Sequence, residues 1–477
     1  MLGFEINSLY VTVHAGAGLT IRKRDPEYQM NRTPDRSKPD QRQLEDIVRM
    51  VLDMASEQGV DQAEVAASHD IGLSATARLG EVENLEYTND RGVGITVFKG
   101  RCKGGASTSD FSPGALRESV SKACTFAKFT AADDCAGLAD SELMAVDPPD
   151  LDLSHAWELE SEEAIRLAIE CEDAARAFDT RIENSEGATV ATNAGVRAYG
   201  NTHGFLSSYP KTSHSLSCVV VGRDGDSMER DYWYTAARDA GMLESSVEVG
   251  EKAARRTVER LGGRKMATAT APVLFTPEIA RGFIAHAISA IAGGAQYRRS
   301  SFLLDAVGEK IFPEFLQIHE RPHLPAAMAS VPYDAEGVAT RDRDLVVDGM
   351  LQGYVLSSYS ARRLGLQSTG NAGGAHNLIV PGTTDGLESM IRDMGTGLVV
   401  HELIGQGVNA VTGDYSRGAV GYWIENGEIA YPVHEVTIAG NLRDLYARIV
   451  AIGRDQDLRG GIRCGSILVD EMTIAGA

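Results

Sequence analysis

Hydrophobic residues recur at helical spacing in several separated stretches of the chain. The first stretch runs from Leu44 to Ala55, and Gly59 follows it as a candidate C-cap. Ser112 and Pro113 have the N-cap and N1 chemistry of a second helix that reaches about residue 126. The same spacing predicts further helices at residues 161–178, 247–261, 277–291 and 442–452.

Short runs of β-type residues, separated by glycines, fill the intervals between these helices. In the first region they lie at residues 63–68, 73–78, 82–87 and 94–98, and the pair Asn89-Asp90 is interpreted as a hairpin turn. Similar runs occupy residues 181–234 and the long region that follows the helix at 277–291. Because the strands come in clusters and do not alternate with helices, the pattern predicts an α+β fold. We expect mixed, mostly antiparallel sheets with packed helices and a large β-rich C-terminal domain.

The clusters predict four segments along the chain. Residues 21–40 are charged, contain three prolines and lack apolar periodicity. We therefore interpret residues 1–40 as a flexible N-terminal extension, or as sequence upstream of the natural start. We then expect a first α+β domain at residues 41–130, a middle α+β domain at 131–265 and a C-terminal β-rich domain at 266–477.

Charge and cysteine content narrow the classes of function. The 477 residues include 46 Lys and Arg against 67 Asp and Glu, which gives a formal charge of −21. This balance argues against a general nucleic-acid or membrane-surface binder, since both need clustered cations. No apolar run approaches the ~20 residues of a membrane-spanning helix, and the six cysteines form no CxxC pair. We therefore expect a cytoplasmic protein with reduced thiols.

One segment matches a metal-binding motif. His319-Glu320-Arg321-Pro322-His323 fits H-E-x-x-H, in which two histidines on one helical face hold zinc and the glutamate activates a water. Pro322 works against the helix that this chemistry needs, because it removes a backbone N–H and disfavours the α conformation at Arg321. The segment is therefore interpreted as a loop. A self-sufficient zinc peptidase that uses His319, Glu320 and His323 stays as an alternative hypothesis.

Short motifs in order along residues 41–477 resemble one protein family. They are GEVEN at 80–84, GVGITV at 92–97, MERDY at 228–232, SSYSARRLGL at 357–366, MGTGL at 394–398, GDYSRG at 413–418, WIENGEI at 423–429, YPV at 431–433 and IAGNL at 438–442. On these motifs the chain is identified as similar to the TldD/PmbA family, also called modulators of DNA gyrase.

The resemblance implies a cytosolic metallopeptidase whose two branches act together as a heterodimer. One branch carries H-E-x-x-x-H on a helix and a cysteine near the C-terminus, and this branch holds the metal. In our sequence the corresponding helix follows residues 273–275, and no histidine–glutamate pair lies between Thr276 and His286. Cys464 lies where the family has its cysteine. The chain therefore resembles the PmbA (or TldE) branch, which lacks the motif.

On this resemblance we expect no catalytic residue, metal or cofactor on this chain, and zinc or another divalent metal on a TldD-like paralogous partner. Peptides or unfolded proteins are the expected substrates, with no nucleic acid and no membrane as partner. Candidate residues for the substrate chamber are Asp414, Tyr415, Ser416 and Arg417. The competing interpretation of these four residues is a structural turn in which Asp414 and Ser416 satisfy local N–H groups. For the whole chain, a non-enzymatic interaction protein that modulates a toxin or gyrase system is the remaining alternative.

Overall fold

The computed structural model describes residues 4–6, 9–14, 17–22 and 38–476, the first three of these as backbone alone. Those three stretches are strands β1 (Phe4–Ile6), β2 (Leu9–His14) and β3 (Ala17–Arg22), which pair in this order as an antiparallel sheet. They fall in one unit, residues 1–38, and residues 39–477 form the other. The expected flexible extension at residues 1–40 lies in large part outside the described residues, so it stays a prediction.

The second unit contains the remaining elements. Its helices are α1 (Gln41–Glu57), α2 (Pro113–Phe129), α3 (Ser161–Phe178), α4 (Ser246–Arg260), α5 (Pro277–Ala290), α6 (Gly293–Tyr297), α7 (Ser358–Leu364), α8 (Leu387–Met394) and α9 (Leu442–Ala447). Its strands are β4 (Gln62–Arg78), β5 (Glu81–Lys99), β6 (Cys102–Thr108), β7 (Ile182–Asn201), β8 (Leu206–Asp224), β9 (Ser227–Ala237), β10 (Ala269–Phe275), β11 (Ile318–Glu320), β12 (Arg343–Val347), β13 (Met350–Leu351), β14 (Leu378–Ile379), β15 (Gly397–Ile404), β16 (Asp414–Glu425), β17 (Glu428–Asn441), β18 (Ile449–Ile452), β19 (Ile462–Arg463) and β20 (Ile467–Ala475).

Helices α1 and α2 begin at capping side chains. The Asp40 carboxylate accepts two backbone N–H groups at the start of α1, and the Ser112 hydroxyl accepts one at the start of α2, where the sequence predicted an N-cap. The predicted helix at 442–452 is wrong in its second half. Helix α9 ends at Ala447, and residues 449–452 form β18, because main-chain pairing with β20 overrides their helical spacing.

The first sheet has the strand order β6-β5-β4-β7-β8-β9, and every neighbouring pair is antiparallel. The four short strands expected in the first region are two long ones, β4 and β5. Their turn lies at Leu79-Gly80, both with positive φ. Asn89-Asp90 lies inside β5, where Asp90 pairs with Asp70 of β4. The predicted hairpin turn at Asn89-Asp90 is therefore wrong, because the backbone ladder continues through these polar residues.

Helices α1 to α4 cover one face of this sheet. Strand β4 pairs with β7 along residues 64–77, so the segments expected as first and middle domains share the sheet. Side chains alternate between faces along a strand. Val65 of β4 packs with α1 and α2, and Ala75 of the same face packs with α3. The opposite face, which carries Ala66 and Ser68, is turned away from these four helices.

The C-terminal region is built on a second sheet that closes on itself. Its strand order is β10-β15-β16-β17-β20-β18, and β10 also pairs with β20, which closes β10, β15, β16, β17 and β20 into a ring to which β18 is added as an edge strand on β20. Helix α5 packs Phe283 and Ile284 into a large core shared with these strands. A smaller sheet has the order β13-β12-β11-β14-β19. The predicted α+β fold with a strand-rich C-terminal region is confirmed. No helix in the described part of the chain is long and apolar enough to cross a membrane.

Candidate functional site

Helix α5 occupies the place to which the resemblance assigns the metal-binding motif. It follows β10 directly, and its residues Phe283, Ile284 and Ala287 are buried in the C-terminal core. Cys464 is fully buried in the same core, and this burial raises the pKa of its thiol. Among the residues that the structure describes, no three His, Cys, Asp or Glu side chains converge as metal ligands. The donors around α5 therefore do not fit a metal centre.

His286 of α5 lies beside two residues of the GDYSRG segment. The centroid of its ring is 6.1 Å from that of Tyr415, at an interplanar angle of 72°. Burial first, and then the positive charge of Arg417, lower the pKa of His286. The imidazole is therefore neutral at pH 7, next to a phenol and a guanidinium.

Tyr415 carries a buried polar group without a partner. Its side chain is 2% exposed, and its hydroxyl makes no hydrogen bond in the structure. The ring of Phe283 meets it edge-on at 6.1 Å, and burial raises the pKa of the phenol. An unpaired buried hydroxyl lowers stability, so packing alone does not explain the choice of tyrosine here.

The segment predicted as a possible turn is in fact the start of a strand. The turn ends at Gly413, whose φ is 81°, and β16 pairs with β17 from Asp414 onward. Alternation buries Tyr415 and leaves Asp414 and Ser416 exposed on the other face, with Arg417 half-buried on the side of Tyr415. The four candidates therefore divide into two pairs, and their role in a substrate chamber stays a prediction.

The two histidines of the H-E-x-x-H match point to different partners. His319 lies in strand β11, and its Nδ1 is 2.7 Å from Oδ1 of Asp344 on β12. His323 lies beyond the strand, and its Nε2 is 2.9 Å from the hydroxyl oxygen of Thr340. The segment forms a strand end followed by a loop, which corrects the prediction of a loop throughout. It is not the helix that the zinc motif needs.

Glu320, the central residue of that match, is a buried structural carboxylate. It is 1% exposed, and its Oε2 accepts from Nε and Nη2 of Arg343 at 2.9 and 2.7 Å. Its Oε1 accepts from Nδ2 of Asn371 and from the backbone N–H of His376, both at 2.7 Å. Both oxygens are thus occupied, and the structure does not bring His319, Glu320 and His323 to one point.

A cavity of about 1100 Å³ lies between the helix-free face of the first sheet and two loops of the C-terminal region. We call it the sheet–loop cavity. Its floor consists of two adjacent rows of paired residues: Ser107, Gly94, Ala66 and Tyr199 in one, and Gly92, Ser68, Arg197 and Tyr209 in the other. Most of these side chains are small, so the main chain of a ligand can approach the sheet closely.

The loops at residues 329–335 and 372–376 cover this cavity. Asp334 joins them, because its Oδ2 accepts the backbone N–H of Ala372 at 2.9 Å while its Oδ1 accepts two N–H groups of its own loop. Burial raises the pKa of Asp334 to about 7. The carboxyl group fixes the distance between the loops and so the height of the cavity.

Three polar side chains line the sheet–loop cavity, Arg197 and Tyr209 from its floor and His376 from one of the covering loops; we call these three residues the polar wall. Nη1 of Arg197 is 2.6 Å from Oδ2 of Asp70. The half-buried ring of Tyr209 packs edge-on against Tyr333 at 5.6 Å. His376 is 8% exposed and its Nε2 makes no hydrogen bond, while burial lowers the pKa of its ring. The wall therefore combines a guanidinium, a phenol and a neutral imidazole.

None of Arg197, Tyr209 and His376 was predicted as a site residue from the sequence. Arg197 and Tyr199 alternate with the buried Val196 and Ala198, which is a signal that one face of β7 is polar. What covers that face depends on loops more than 130 positions away, and local alternation carries no information about them.

Comparison with known proteins places this fold in a family. The chain matches three PmbA/TldA metallopeptidase domains: domain 1 at residues 63–127, the central domain at 154–261 and the C-terminal domain at 268–476. Metalloprotease PmbA of Escherichia coli O157:H7 is 51% identical over 433 residues, which cover 91% of this chain and 96% of that protein. The Metalloprotease PmbA homolog of Haemophilus influenzae is 49% identical, with 92% and 97% covered. A crystal structure from Bacteroides thetaiotaomicron, described as a candidate modulator of DNA gyrase, has a TM-score of 0.86 at 26% identity and covers 91% of this chain and 98% of that one. The chain belongs to the PmbA/TldD metallopeptidase family.

Proposed function

We propose that this chain is the PmbA-type, TldE-like subunit of a cytosolic heterodimeric metallopeptidase that processes or degrades peptides and unfolded proteins. Its metal would be held by a TldD-like partner. The observation that carries the proposal is the core around α5. The chain has all three family domains, yet its described residues offer His286 and the buried Cys464 at that place without a third donor close by.

The contribution of this chain is to bind and orient the peptide. Zinc or another divalent metal on the partner supplies a bound water as nucleophile. Arg417 is half-buried, and its Nε is 3.4 Å from the carbonyl oxygen of Ile404, a long hydrogen bond. The guanidinium is therefore weakly held and able to donate to a peptide carbonyl. The phenol of Tyr415 lies on the same strand face, two residues away.

Two alternatives make different demands. A self-sufficient zinc peptidase needs His319, Glu320 and His323 on one ion, although the three side chains have separate partners in the structure. A non-enzymatic modulator of a toxin or gyrase system needs no peptide turnover by any assembly that contains this chain.

The test is metal analysis combined with reconstitution. Purified alone, the chain should hold no stoichiometric metal and cleave no unfolded peptide. Mixed with a paralogue that carries H-E-x-x-x-H, it should co-elute and give metal-dependent cleavage. The matched control is the same pair with the first motif histidine of the paralogue changed to alanine. About one metal per isolated chain, lost in His319→Ala or His323→Ala, would favour the zinc alternative, and an inactive pair with a full metal content would favour the interaction protein.

A further inference from the structure

The sheet–loop cavity is large and is enclosed by the first sheet and by two loops. Its floor is the two paired rows on β4 to β8, and its roof is the pair of loops held by Asp334. A volume of about 1100 Å³ is at the upper end of the range for small-ligand sites, which is on the order of 300–1,000 Å³. The small floor residues and the elongated rows suit an extended chain better than a compact ligand.

Charged residues lie on and beside the floor of this cavity: Arg197 lines it, whereas Lys211, Asp70 and Asp90 belong to the neighbouring row of the sheet. On the side of β7 and β8 lie the cations Arg197 and Lys211, which are neighbours on adjacent rows. Burial first, and then Arg197, lower the pKa of Lys211, with Arg238 acting in the same direction. Asp70 and its cross-strand neighbour Asp90 lie on the side of β4 and β5. The β7–β8 side thus concentrates positive charge in a chain of formal charge −21, although Asp70 balances Arg197 through their ion pair at 2.6 Å.

Arg238 adds to this concentration without a carboxylate of its own. Its side chain is 6% exposed, and its three hydrogen bonds go to the carbonyl oxygens of Thr212, Ala327 and Met328. Ala327 and Met328 directly precede the loop that covers the cavity. Arg238 does not line the sheet–loop cavity, but it acts on a residue that does: burial raises the pKa of Tyr209, and the charges of Arg197 and Arg238 oppose this rise.

The wall also holds hydrogen-bonding groups in position for a ligand. His376 is more than nine-tenths buried and lines the cavity, and its Nε2 has no partner. Tyr209 lies next to Arg197 in the same row of paired residues. A carboxylate in the cavity could accept hydrogen bonds from the guanidinium of Arg197 and the phenol of Tyr209, and from the imidazole of His376 in the tautomer that carries its proton on Nε2.

We propose that the sheet–loop cavity binds a carboxylate of an extended peptide, at the wall formed by Arg197, Tyr209 and His376. The inference rests on the proposed function, since it makes this chain the subunit that anchors the substrate. The carboxylate can be the C-terminal one or that of an Asp or Glu side chain, and the chemistry of the wall is the same for both.

The test is calorimetric titration of the full isolated chain with three synthetic hexapeptides of alanine and serine. One has a free C-terminal carboxylate, one is C-terminally amidated, and one is amidated but contains a single internal glutamate. The amidated peptide should bind at least tenfold more weakly than the free one, because charge-assisted hydrogen bonds are lost. The third peptide shows whether a side-chain carboxylate substitutes for the terminal one. No binding, or equal affinity for all three, overturns the proposal.

Variants locate the site. Because Arg197→Gln alone leaves Asp70 unpaired, the double variant Asp70→Asn/Arg197→Gln keeps the pair neutral, and it should lose at least tenfold in affinity for the free peptide. Tyr209→Phe should lose a few-fold. The matched control is Arg223→Gln, which breaks an exposed ion pair with Glu183 near the end of β8 and should bind normally. Unchanged affinity in the folded double variant also overturns the proposal. Turnover by the reconstituted pair is a separate readout, so a failure of the proposed function is distinguishable from a failure of this site.

Discussion

Replacing Glu320 with glutamine tests whether the H-E-x-x-H match is structural. The carboxylate is 1% exposed and accepts four hydrogen bonds, two of them from Arg343, whose side chain is 13% exposed. In Glu320→Gln one oxygen becomes an NH2 group that faces donors, and the guanidinium of Arg343 keeps its hydrogen bonds to Tyr354 and Asn371 but loses its counter-charge. Breaking a buried pair from one side costs about 3–5 kcal/mol, so the variant should be strongly destabilised.

The assay is urea denaturation of the isolated chain, followed by circular dichroism, together with the metal content of each variant. The matched control is His319→Gln. Its partner Asp344 is 46% exposed, so the loss should stay below about 1 kcal/mol. Replacing both partners, Glu320→Met with Arg343→Met, should recover part of the stability lost in the single variant: neither charge is then left unpaired, but Asn371 and the backbone N–H of His376 lose their acceptor.

The refuting result is specific. If Glu320→Gln keeps the wild-type denaturation midpoint and abolishes peptide cleavage by the isolated chain, the carboxylate takes part in catalysis and the zinc-peptidase alternative is favoured. A lower midpoint with the same negligible metal content as the wild-type chain supports the structural role derived from the contacts of Glu320.

Further predictions test packing, titration and the proposed chamber. Gly250→Ala in α4 should lower the free energy of unfolding by about 1–3 kcal/mol, because a Cβ there would clash with the backbone of α3. Gly282→Ala on the exposed side of α5, where a Cβ meets nothing within 4 Å, should raise it by about 0.5–1 kcal/mol. Equal urea midpoints for the two variants would contradict this. Burial first, and then two arginines, lower the pKa of His401 to about 3. Below about pH 6.5 the unfolded chain therefore takes up a proton that the folded chain does not, and the free energy of unfolding falls as the pH drops. The loss at pH 5.5 is up to roughly 1.4 kcal/mol, and thermal melts of His401→Gln between pH 7.5 and 5.5 should show a smaller loss than the wild type. Tyr415→Phe removes an unpaired buried hydroxyl and should keep or raise the melting temperature by an amount equivalent to at most about 1 kcal/mol; a clear decrease would show that the hydroxyl has a partner. Arg417→Lys should lower peptide turnover by the reconstituted pair about tenfold, or ~1.4 kcal/mol, at an unchanged melting temperature, and full turnover would remove Arg417 from the chamber.

Helices were predictable because their signals are local. The hydroxyl of Ser112 and the ring of Pro113 act within the first turn of α2, and the spacing of Phe283 and Ile284 marks the inward face of α5. Strand limits depend on partners far along the chain. Asn89-Asp90 looks like a turn in isolation, yet β4 supplies a cross-strand partner for these residues and for those on either side, so the strand continues.

The candidate site was less predictable than the fold. The two glycines of GDYSRG pointed to a turn, but only Gly413 belongs to one, and Gly418 lies inside the β15–β16 ladder. The contact between His286 and Tyr415 joins a helix and a strand that are 129 positions apart in sequence. The family resemblance directed attention to helix α5, and the structure was needed to show which side chains contact it.

The segment that imitates a zinc motif has a positional role at the sheet–loop cavity. Oε1 of Glu320 holds the backbone N–H of His376 at 2.7 Å, and the same oxygen holds Asn371, so one buried carboxylate fixes both ends of the loop at 372–376. Asp334 fixes the same loop from the other side through Ala372. The position of the His376 ring in the cavity therefore depends on two buried carboxyl groups, those of Glu320 and Asp334. It follows that loss of Glu320 should disturb the cavity as well as the core, and that a stable Glu320 variant with weakened peptide binding would place it among the positioning residues of this site.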